Sequence, residues 1–356
     1  MDIKKIDKNY HTLELQNTEN TCFYTVPNNN INLYGVIPPT KEEPYFKRLP
    51  KNKASKVSQN VETLVKHTSG GRIRFKTNSD FLSIKAILHE TCKVPHMAST
   101  NSLGFDIYTK KEGDSYRYAS IVFADFEKTE KCEGTVFLGE CETREITVNF
   151  PCYGGVKNIE IGLNKNAFIK PADNYLNKEP VLVYGSSITQ GGCASRPGNT
   201  YIASLSKLLN LDFYNLGFSG GCLAEPEMLN IINSFKMSAF VFDYDHNAPT
   251  AEYLNNTHEK FFKGFREVNP TVPVIFLTAP YAHKTEEDTE RRNIIYKTYK
   301  NALNNNDKNV YFIDGLEIFN DEFKDNVSVD EIHPNDLGFY FMAKALKPIF
   351  KKIFIK

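Results

Sequence analysis

The sequence has no surplus of charge of either sign. Its 356 residues include 43 Lys plus Arg and 43 Asp plus Glu, which makes the formal net charge zero. Proteins that bind nucleic acid or an anionic membrane generally need a basic surplus to attract phosphate groups. We therefore expect neither nucleic acid nor a membrane as a partner. With 41% hydrophobic residues, the chain can still bury substantial cores, and its length suggests two domains.

Long hydrophobic runs are also missing. No stretch approaches the roughly 18 consecutive apolar residues of a membrane-spanning helix. The N-terminus, MDIKKIDKNYHTLELQ, contains basic residues but lacks the apolar core of a signal peptide. The sequence therefore predicts a cytoplasmic protein.

The cysteines form no recognisable pattern. There are seven, an odd number, and no C-x-x-C pair is present. This spacing argues against a disulfide framework and against a zinc cluster, so we expect reduced thiols and no metal. Two of them, Cys193 and Cys222, fall in glycine-rich loops, where we interpret them as small buried fillers.

Three common glycine-rich motifs do not fit the stretch VLVYGSSITQGG, residues 181–192. A phosphate-binding P-loop needs a Lys that does not follow Gly191, and the dinucleotide motif needs Gly where Ser187 stands. The nucleophile elbow of α/β-hydrolases needs Gly where Thr189 stands. We therefore expect no nucleotide and no other cofactor here.

The first half of the chain has the pattern of β-strands. Segments such as GRIRFKTNS and FLSIKAILHE alternate apolar and polar residues, and Gly, Asp and Asn turns separate them. This pattern predicts an antiparallel, jelly-roll-like β-sandwich, with no helix between about residues 70 and 165. A polar, Asn-rich linker ends near Pro180, and we place the boundary between domains 1–175 and 176–356.

In the second half, short apolar strands alternate with amphipathic helices, which predicts a parallel sheet covered on both faces. The predicted strands are 181–184, 212–216, 239–244, 272–278 and 310–314. The predicted helices lie near 200–210, 222–235, 251–268, 284–305 and 335–350.

Ser187 lies where ligands bind in such a sheet, just beyond the carboxyl end of a strand. Its small neighbours would let a substrate approach, and the helix that follows could stabilise negative charge. The alternative is a turn that only packs the strand against the helix. Downstream, Asp330 precedes His333 by three residues, so the carboxylate could orient the imidazole as a base for the serine. The alternative for that pair is an Asp that caps the last helix beside a surface His.

Two further loops follow predicted strands. NLGFSGG contains Gly220, and DYDHNAP contains Asn247. A backbone N–H and a side-chain amide are the donors that an oxyanion hole needs. Each loop could instead be an ordinary turn.

Taken in chain order, Ser187, Gly220, Asn247 and His333 with Asp330 resemble the four blocks of the SGNH (GDSL-type) hydrolase superfamily, over about residues 176–356. LGFDIY, residues 103–108, looks like the Gly-x-Asp-Leu-Tyr signature of a β-sandwich domain that precedes some of these hydrolases.

The resemblance implies a flavodoxin-like three-layer α/β/α domain and a metal-independent serine esterase. It implies that Ser187 is the nucleophile, His333 the base and Asp330 its orienting acid. It also implies an oxyanion hole formed by the N–H groups of Ser187 and Gly220 and by the Asn247 amide. Two departures are Ser186, where the family often has Asp, and the third block, Asp-His-Asn-Ala instead of Gly-x-Asn-Asp.

The loops around these residues are polar, and no long apolar lid is evident. We therefore expect a small acyl ester, most simply an acetyl ester of a sugar or another polar alcohol, as substrate. Candidate substrate-binding residues are Arg196, Tyr201, His246 and, from the first half, His96. A thioesterase or lysophospholipase on the same scaffold and a non-catalytic glycan-binding protein are the alternatives. The oligomeric state is not predicted.

Overall fold

The computed structural model describes residues 6–7, 12–125 and 129–355. Most of the N-terminal segment that bears on the signal-peptide prediction therefore lies outside the described residues. No helix among the described residues is both long enough and apolar enough to cross a membrane. All seven cysteines are described, and each is a free thiol.

The chain divides into two compact units. The first comprises Met1–Lys47 and Lys66–Asp173, and the second comprises Arg48–Val65 and Asn174–Lys356. The sequence predicts a boundary after residue 175, with residues 48–65 in the first domain. In the structure this segment, with short helices α1 (Lys51–Ala54) and α2 (Gln59–Leu64), belongs to the second unit.

The first unit is an antiparallel β-sandwich, as predicted. One sheet has the order β1-β9-β4-β7, and the other has the order β10-β3-β8-β5-β6, with β2 paired to β3. Its strands are β1 Thr21–Thr25, β2 Asn32–Tyr34, β3 Arg72–Thr77, β4 Phe81–His89, β5 Gly104–Lys110, β6 Arg117–Phe123, β7 Lys131–Phe137, β8 Arg144–Asn149, β9 Gly155–Asn164 and β10 Ile169–Pro171. Inward-facing residues of both sheets, among them Phe75, Ile84, Ile146 and Ile161, form one core. A single-turn helix, α3 (Ser99–Ser102), interrupts a region where no helix was expected.

The second unit contains a five-stranded parallel sheet of order β12-β11-β13-β14-β15. This is the flavodoxin-like doubly wound order, and it confirms the predicted fold class. The strands are β11 Val181–Gly185, β12 Phe213–Gly217, β13 Ala239–Asp243, β14 Val274–Leu277 and β15 Val310–Ile313. The helices are α4 Ser187–Gln190, α5 Tyr201–Leu209, α6 Pro226–Asn233, α7 Ala251–Val268, α8 Glu286–Asn304 and α9 Asp336–Phe354.

Helices cover both faces of this sheet. Val181 and Val183 of β11 pack into a core with α5 and α9. Leu182 and Tyr184 of the same strand point the other way, into a core with α6, α7 and α8. Because both faces are buried, the residues within these strands are mostly apolar and do not alternate between apolar and polar.

Candidate active site

The candidate site begins where β11 ends. Ser186 is the N-cap of α4, and its hydroxyl accepts a hydrogen bond from the Ile188 N–H at 3.2 Å. Ser187 is therefore the first residue of a four-residue helix, beyond the carboxyl end of a central strand. In this strand order, β11 and β13 flank the point at which the chain reverses its direction across the sheet, which is where such folds bind ligands.

The glycine that ends β11 is required by packing inside the protein. A Cβ on Gly185 would lie 2.1 Å from the Thr189 hydroxyl oxygen and 2.5 Å from the Asp243 carbonyl oxygen. The tight turn that presents Ser187 leaves no room for a side chain there. The alternative interpretation, that this glycine packs the strand against the following helix, therefore accounts for Gly185 without a ligand.

Ser187, His333 and Asp330 form a continuous chain of hydrogen bonds. The Ser187 Oγ lies 2.9 Å from the His333 Nε2, and the His333 Nδ1 lies 2.7 Å from the Asp330 Oδ2. The other Asp330 oxygen accepts hydrogen bonds from the backbone N–H groups of His333, at 2.7 Å, and Ile332, at 3.2 Å. Asn335, not Asp330, caps α9 with its side chain, so the capping alternative for Asp330 is wrong.

The carboxyl group of Asp330 is held in its ionised form. Partial burial raises its pKa, but the hydrogen bonds from the backbone and ring of His333 and from the backbone of Ile332 outweigh this effect and leave the pKa below its ordinary value. An ionised carboxylate only accepts hydrogen bonds, so the proton between the two side chains resides on Nδ1 of His333. The Nε2 atom then carries the lone pair that can accept the proton of the Ser187 hydroxyl.

Two backbone segments supply candidate oxyanion donors. Gly220 has a φ of +65° and open space where a Cβ would be, and its N–H has no hydrogen-bond partner among the described residues. Asn247 ends a single 3-10 turn that starts at Asp245, and its side-chain oxygen accepts a hydrogen bond from the Cys222 N–H at 3.3 Å. This contact orients the amide, so that its NH₂ group points away from Cys222. The unusual third block therefore still presents an oriented Asn247 amide.

Polar side chains join the Ser187 turn to the Gly220 loop. The Asn215 side chain donates to the Thr189 carbonyl at 2.7 Å, and the Gln190 side chain accepts from the Ser219 N–H at 3.0 Å. Neither Asn215 nor Gln190 was identified from the sequence, because each is bonded to a residue more than twenty positions away. The only available signal was that both are polar residues close to the ends of predicted strands.

A buried carboxyl group lies beneath the nucleophile turn. The Asp243 Oδ2 accepts hydrogen bonds from the Thr189 hydroxyl at 2.7 Å and from the Tyr201 hydroxyl at 3.2 Å. Burial raises the pKa of Asp243 well above its ordinary value. Tyr201 is only 1% exposed, so its hydroxyl faces the interior and its predicted contact with substrate has no support in the structure. Its role here is to support the turn.

The other predicted substrate-binding residues lie in different environments. His246 is half-buried next to Asn247, its ring is stacked on Tyr281 at 5.2 Å, and its Nδ1 is 3.0 Å from the Tyr281 hydroxyl. Burial and then the charge of His333 lower the pKa of His246 to about 4, so its ring is neutral at pH 7. Arg196 is half-buried in the loop after α4, and His96 is exposed on the first unit. Their contacts with substrate remain predictions.

The two loop cysteines are protonated thiols. Burial, followed by the negative charge of Asp330, raises the pKa of Cys193 to about 11. Burial raises the pKa of the fully buried Cys222 well above its ordinary value. Neutral thiols are poor nucleophiles, in keeping with the prediction that both residues are small fillers.

Two family models match the chain. Residues 178–351 match the GDSL-like lipase/acylhydrolase family, and residues 21–169 match the GxDLY family, the N-terminal domain of SGNH hydrolase-type esterases. The chain therefore carries a GDSL-like lipase/acylhydrolase domain preceded by a GxDLY domain. This confirms the resemblance seen in the sequence and makes the protein a carboxylic ester hydrolase with a GxDLY domain.

Solved structures of similar proteins cover nearly the whole chain. A Bacteroides ovatus protein named for its likeness to GDSL lipases is 28% identical, with a TM-score of 0.82 over 94% of this chain and 98% of its own. A salicylyl-acyltransferase of a tetracycline biosynthetic pathway is 15% identical, with a TM-score of 0.75 over 95% and 99%. A family two carbohydrate esterase from Cellvibrio japonicus is 12% identical, with a TM-score of 0.60 over 94% and 98%. No curated protein sequence matches the chain.

Proposed function

We propose that this protein is a serine esterase that hydrolyses short acyl esters, most simply acetyl esters, of a carbohydrate or another small polar alcohol. The observation that carries the proposal is the hydrogen-bonded chain from the Ser187 Oγ through His333 to an ionised Asp330. A serine hydroxyl is a weak nucleophile, and this arrangement supplies the base that activates it.

The proposed reaction has two halves. His333 takes the proton of Ser187 as the oxygen attacks the ester carbonyl, and it then gives that proton to the departing alcohol. Asp330 stabilises the imidazolium cation between these transfers. His333 next takes a proton from a water molecule as that water attacks the acyl-serine, and it returns the proton to the Ser187 oxygen as the acid leaves.

The oxyanion of each tetrahedral intermediate would be held by the N–H groups of Ser187 and Gly220 and by the Asn247 amide. The Gly220 N–H, which has no hydrogen-bond partner in the part of the chain that the structure describes, and the orientation of Asn247 support this assignment. Removing one such donor typically lowers the rate by about 10²- to 10³-fold.

The proposed substrate class has two supports. The loops that carry Ser187, Gly220 and Asn247 are polar, and the chain offers no long apolar lid. Two structures that share the fold are, by name, the carbohydrate esterase from Cellvibrio japonicus and an acetyl xylan esterase from Butyrivibrio proteoclasticus. A compact acyl pocket next to a polar alcohol site would suit an acetylated sugar.

The test is hydrolysis of p-nitrophenyl esters from C2 to C8 and of acetylated sugars, with Ser187→Ala beside the wild type. Ser234→Ala, at the end of α6, is a matched control for loss of a serine hydroxyl. We expect the highest kcat/KM on acetyl esters, no turnover by Ser187→Ala and normal turnover by Ser234→Ala. Faster hydrolysis of octanoyl esters would refute the small acyl pocket. Turnover of thioesters or lysophospholipids in preference to acetyl esters would favour the alternative hydrolases, and a wild type inactive on every ester would favour a glycan-binding protein.

A further inference from the structure

Arg48 is a buried cation that contacts the strand leading to Gly220. It is fully buried and lies at the start of the segment that belongs to the second unit. One guanidinium nitrogen, Nη1, donates to the carbonyl of Asn215 at 3.4 Å and, more closely, to the carbonyl of Gly217. The other, Nη2, donates to the carbonyl of Leu64 at 2.7 Å. The backbone of Arg48 is anchored as well, because its carbonyl accepts the Tyr214 hydroxyl at 2.6 Å.

These contacts fall on the open side of an edge strand. Among the described strands, β12 pairs only with β11. The pairing uses the even-numbered positions of β12, because the Asp212 carbonyl accepts from the Val181 N–H and the Phe218 N–H donates to the Gly185 carbonyl. The carbonyls of Asn215 and Gly217 therefore point away from β11. The guanidinium bonds to both of them and so takes the place of a neighbouring strand.

The same guanidinium stacks on the residue that follows β12. Its central carbon lies 4.6 Å from the ring centroid of Phe218, which is fully buried. On the opposite side, a Cβ on Gly217 would lie 2.3 Å from the Gln190 backbone nitrogen, so this strand end is in tight contact with the nucleophile helix. The chain then needs only three more residues to reach Gly220. Arg48 and the nucleophile helix thus hold the start of the Gly220 loop from two sides.

We propose that Arg48 is a positioning residue that sets the place of the Gly220 N–H relative to Ser187. The inference rests on the proposed esterase function and assigns Arg48 no contact with substrate. Hydrogen-bond donors in an oxyanion hole act only when they are held in place before the charge develops. A shift of about 1 Å in such a group can cost on the order of 10²-fold in rate. Loss of Arg48 should therefore lower kcat and leave KM nearly unchanged.

The experiment compares Arg48→Met and Arg48→Lys with the wild type in the full chain. Arg266→Met is the matched control, since Arg266 also donates to two backbone carbonyls at 2.7 Å and lies over a Phe ring. Its contacts hold the segment that leads into the amino end of β14, not the strand end that leads to Gly220. The measurements are kcat and KM on the best ester, the thermal midpoint, and the rate at which a fluorophosphonate labels Ser187. Labelling displaces fluoride from phosphorus and needs the same oxyanion donors, but it needs no particular alcohol.

We expect Arg48→Met to lower kcat and the labelling rate by about 10- to 100-fold, with KM within twofold. Arg48→Lys keeps the charge but cannot bond to two carbonyls and cover the ring, so its kcat should be intermediate. Arg266→Met should lower the thermal midpoint but not kcat. The inference is overturned if folded Arg48→Met keeps wild-type kcat and labelling, or if Arg266→Met loses as much kcat. If Arg48→Met does not fold, wild-type kcat in Arg48→Lys overturns it.

Failure of the proposed function gives a different result. A wild type that is labelled at Ser187 but hydrolyses none of the esters would refute the substrate, and the labelling rates would still decide the role of Arg48. A wild type that is neither labelled nor active would refute both.

Discussion

Replacing Asp330 with Asn tests the orientation of the candidate base with almost no change in shape. In the wild type, one Asp330 oxygen accepts two backbone N–H groups and the other accepts the Nδ1 proton of His333. The Asn amide has one acceptor and one donor end. If its oxygen keeps the two backbone bonds, its NH₂ group faces the His333 Nδ1.

That arrangement reverses the tautomer of His333. Nδ1 becomes the acceptor and the proton moves to Nε2, which lies 2.9 Å from the Ser187 Oγ and can no longer take its proton. The flipped amide would instead set its NH₂ group against two backbone donors, and leaving a donor unpaired costs about 1–3 kcal/mol where it is buried. The first arrangement is therefore favoured.

We expect kcat to fall by about 10⁴-fold, as the same change does in a serine-protease triad. That is about 5 kcal/mol of activation free energy. Because Asp330 lies in a partly exposed loop, the thermal midpoint should move little. The assay is p-nitrophenyl acetate hydrolysis, together with the imidazole ¹⁵N resonances of His333, which report the tautomer. A folded Asp330→Asn protein that retains a tenth or more of wild-type kcat, or an unchanged tautomer, would refute this account of the site.

Three further changes test other parts of the site. Asn247→Asp keeps the acceptor for the Cys222 N–H but replaces the amide donor with a charged oxygen, so kcat should fall at least about 10²–10³-fold. The thermal midpoint of the variant shows whether the fold is retained. A wild-type kcat in this variant would exclude Asn247 from the oxyanion hole. Burial raises the pKa of Asp245 to about 6, so the folded state binds the proton more tightly than the unfolded chain does. The free energy of unfolding of the wild type should therefore decrease as the pH rises from about 4 to about 6. Urea unfolding of Asp245→Asn across that range should show the variant gaining up to about 3 kcal/mol relative to the wild type, and a pH-independent difference would contradict the shift. Gly185→Ala would force a Cβ to within 2.1 Å of the Thr189 hydroxyl oxygen. The thermal midpoint should therefore drop by several degrees, corresponding to roughly 1–3 kcal/mol of stability. An unchanged midpoint would show that the turn in solution is less tightly packed than in the structure.

The tight turn at Gly185 also bears on how such glycines are interpreted. The sequence left open whether the glycine admits a substrate or packs the strand against the helix, and the structure fills that space with Thr189 and the Asp243 carbonyl. Gly220, in contrast to Gly185, has open space where a Cβ would be. Only the tertiary structure distinguishes a glycine that is needed for packing inside the protein from one that leaves space for a ligand.

The sequence alone determined the two-part architecture and the order of the chemical blocks. Hydrophobic periodicity is a local property, so alternation predicted the sandwich, and the strand–helix succession predicted the doubly wound sheet. The five predicted helices of the second half match α5 to α9 closely, because each has an apolar face. Capping side chains such as Thr200, Thr250 and Asn335 mark where three of them begin. The pairing of Asp330 with His333 was predictable for the same reason, since only three residues separate them.

The tertiary structure decided the contacts between distant parts of the chain. The bond between Ser187 and His333 spans 146 positions, and the bond between Arg48 and Gly217 spans 169. No local pattern indicates that residues 48–65 join the second unit, that Tyr201 faces the buried Asp243, or that Gln190 holds the Gly220 loop. Such contacts depend on which surfaces meet when the sheet and its helices pack, and that choice is made by the free energy of the whole fold rather than by any one segment.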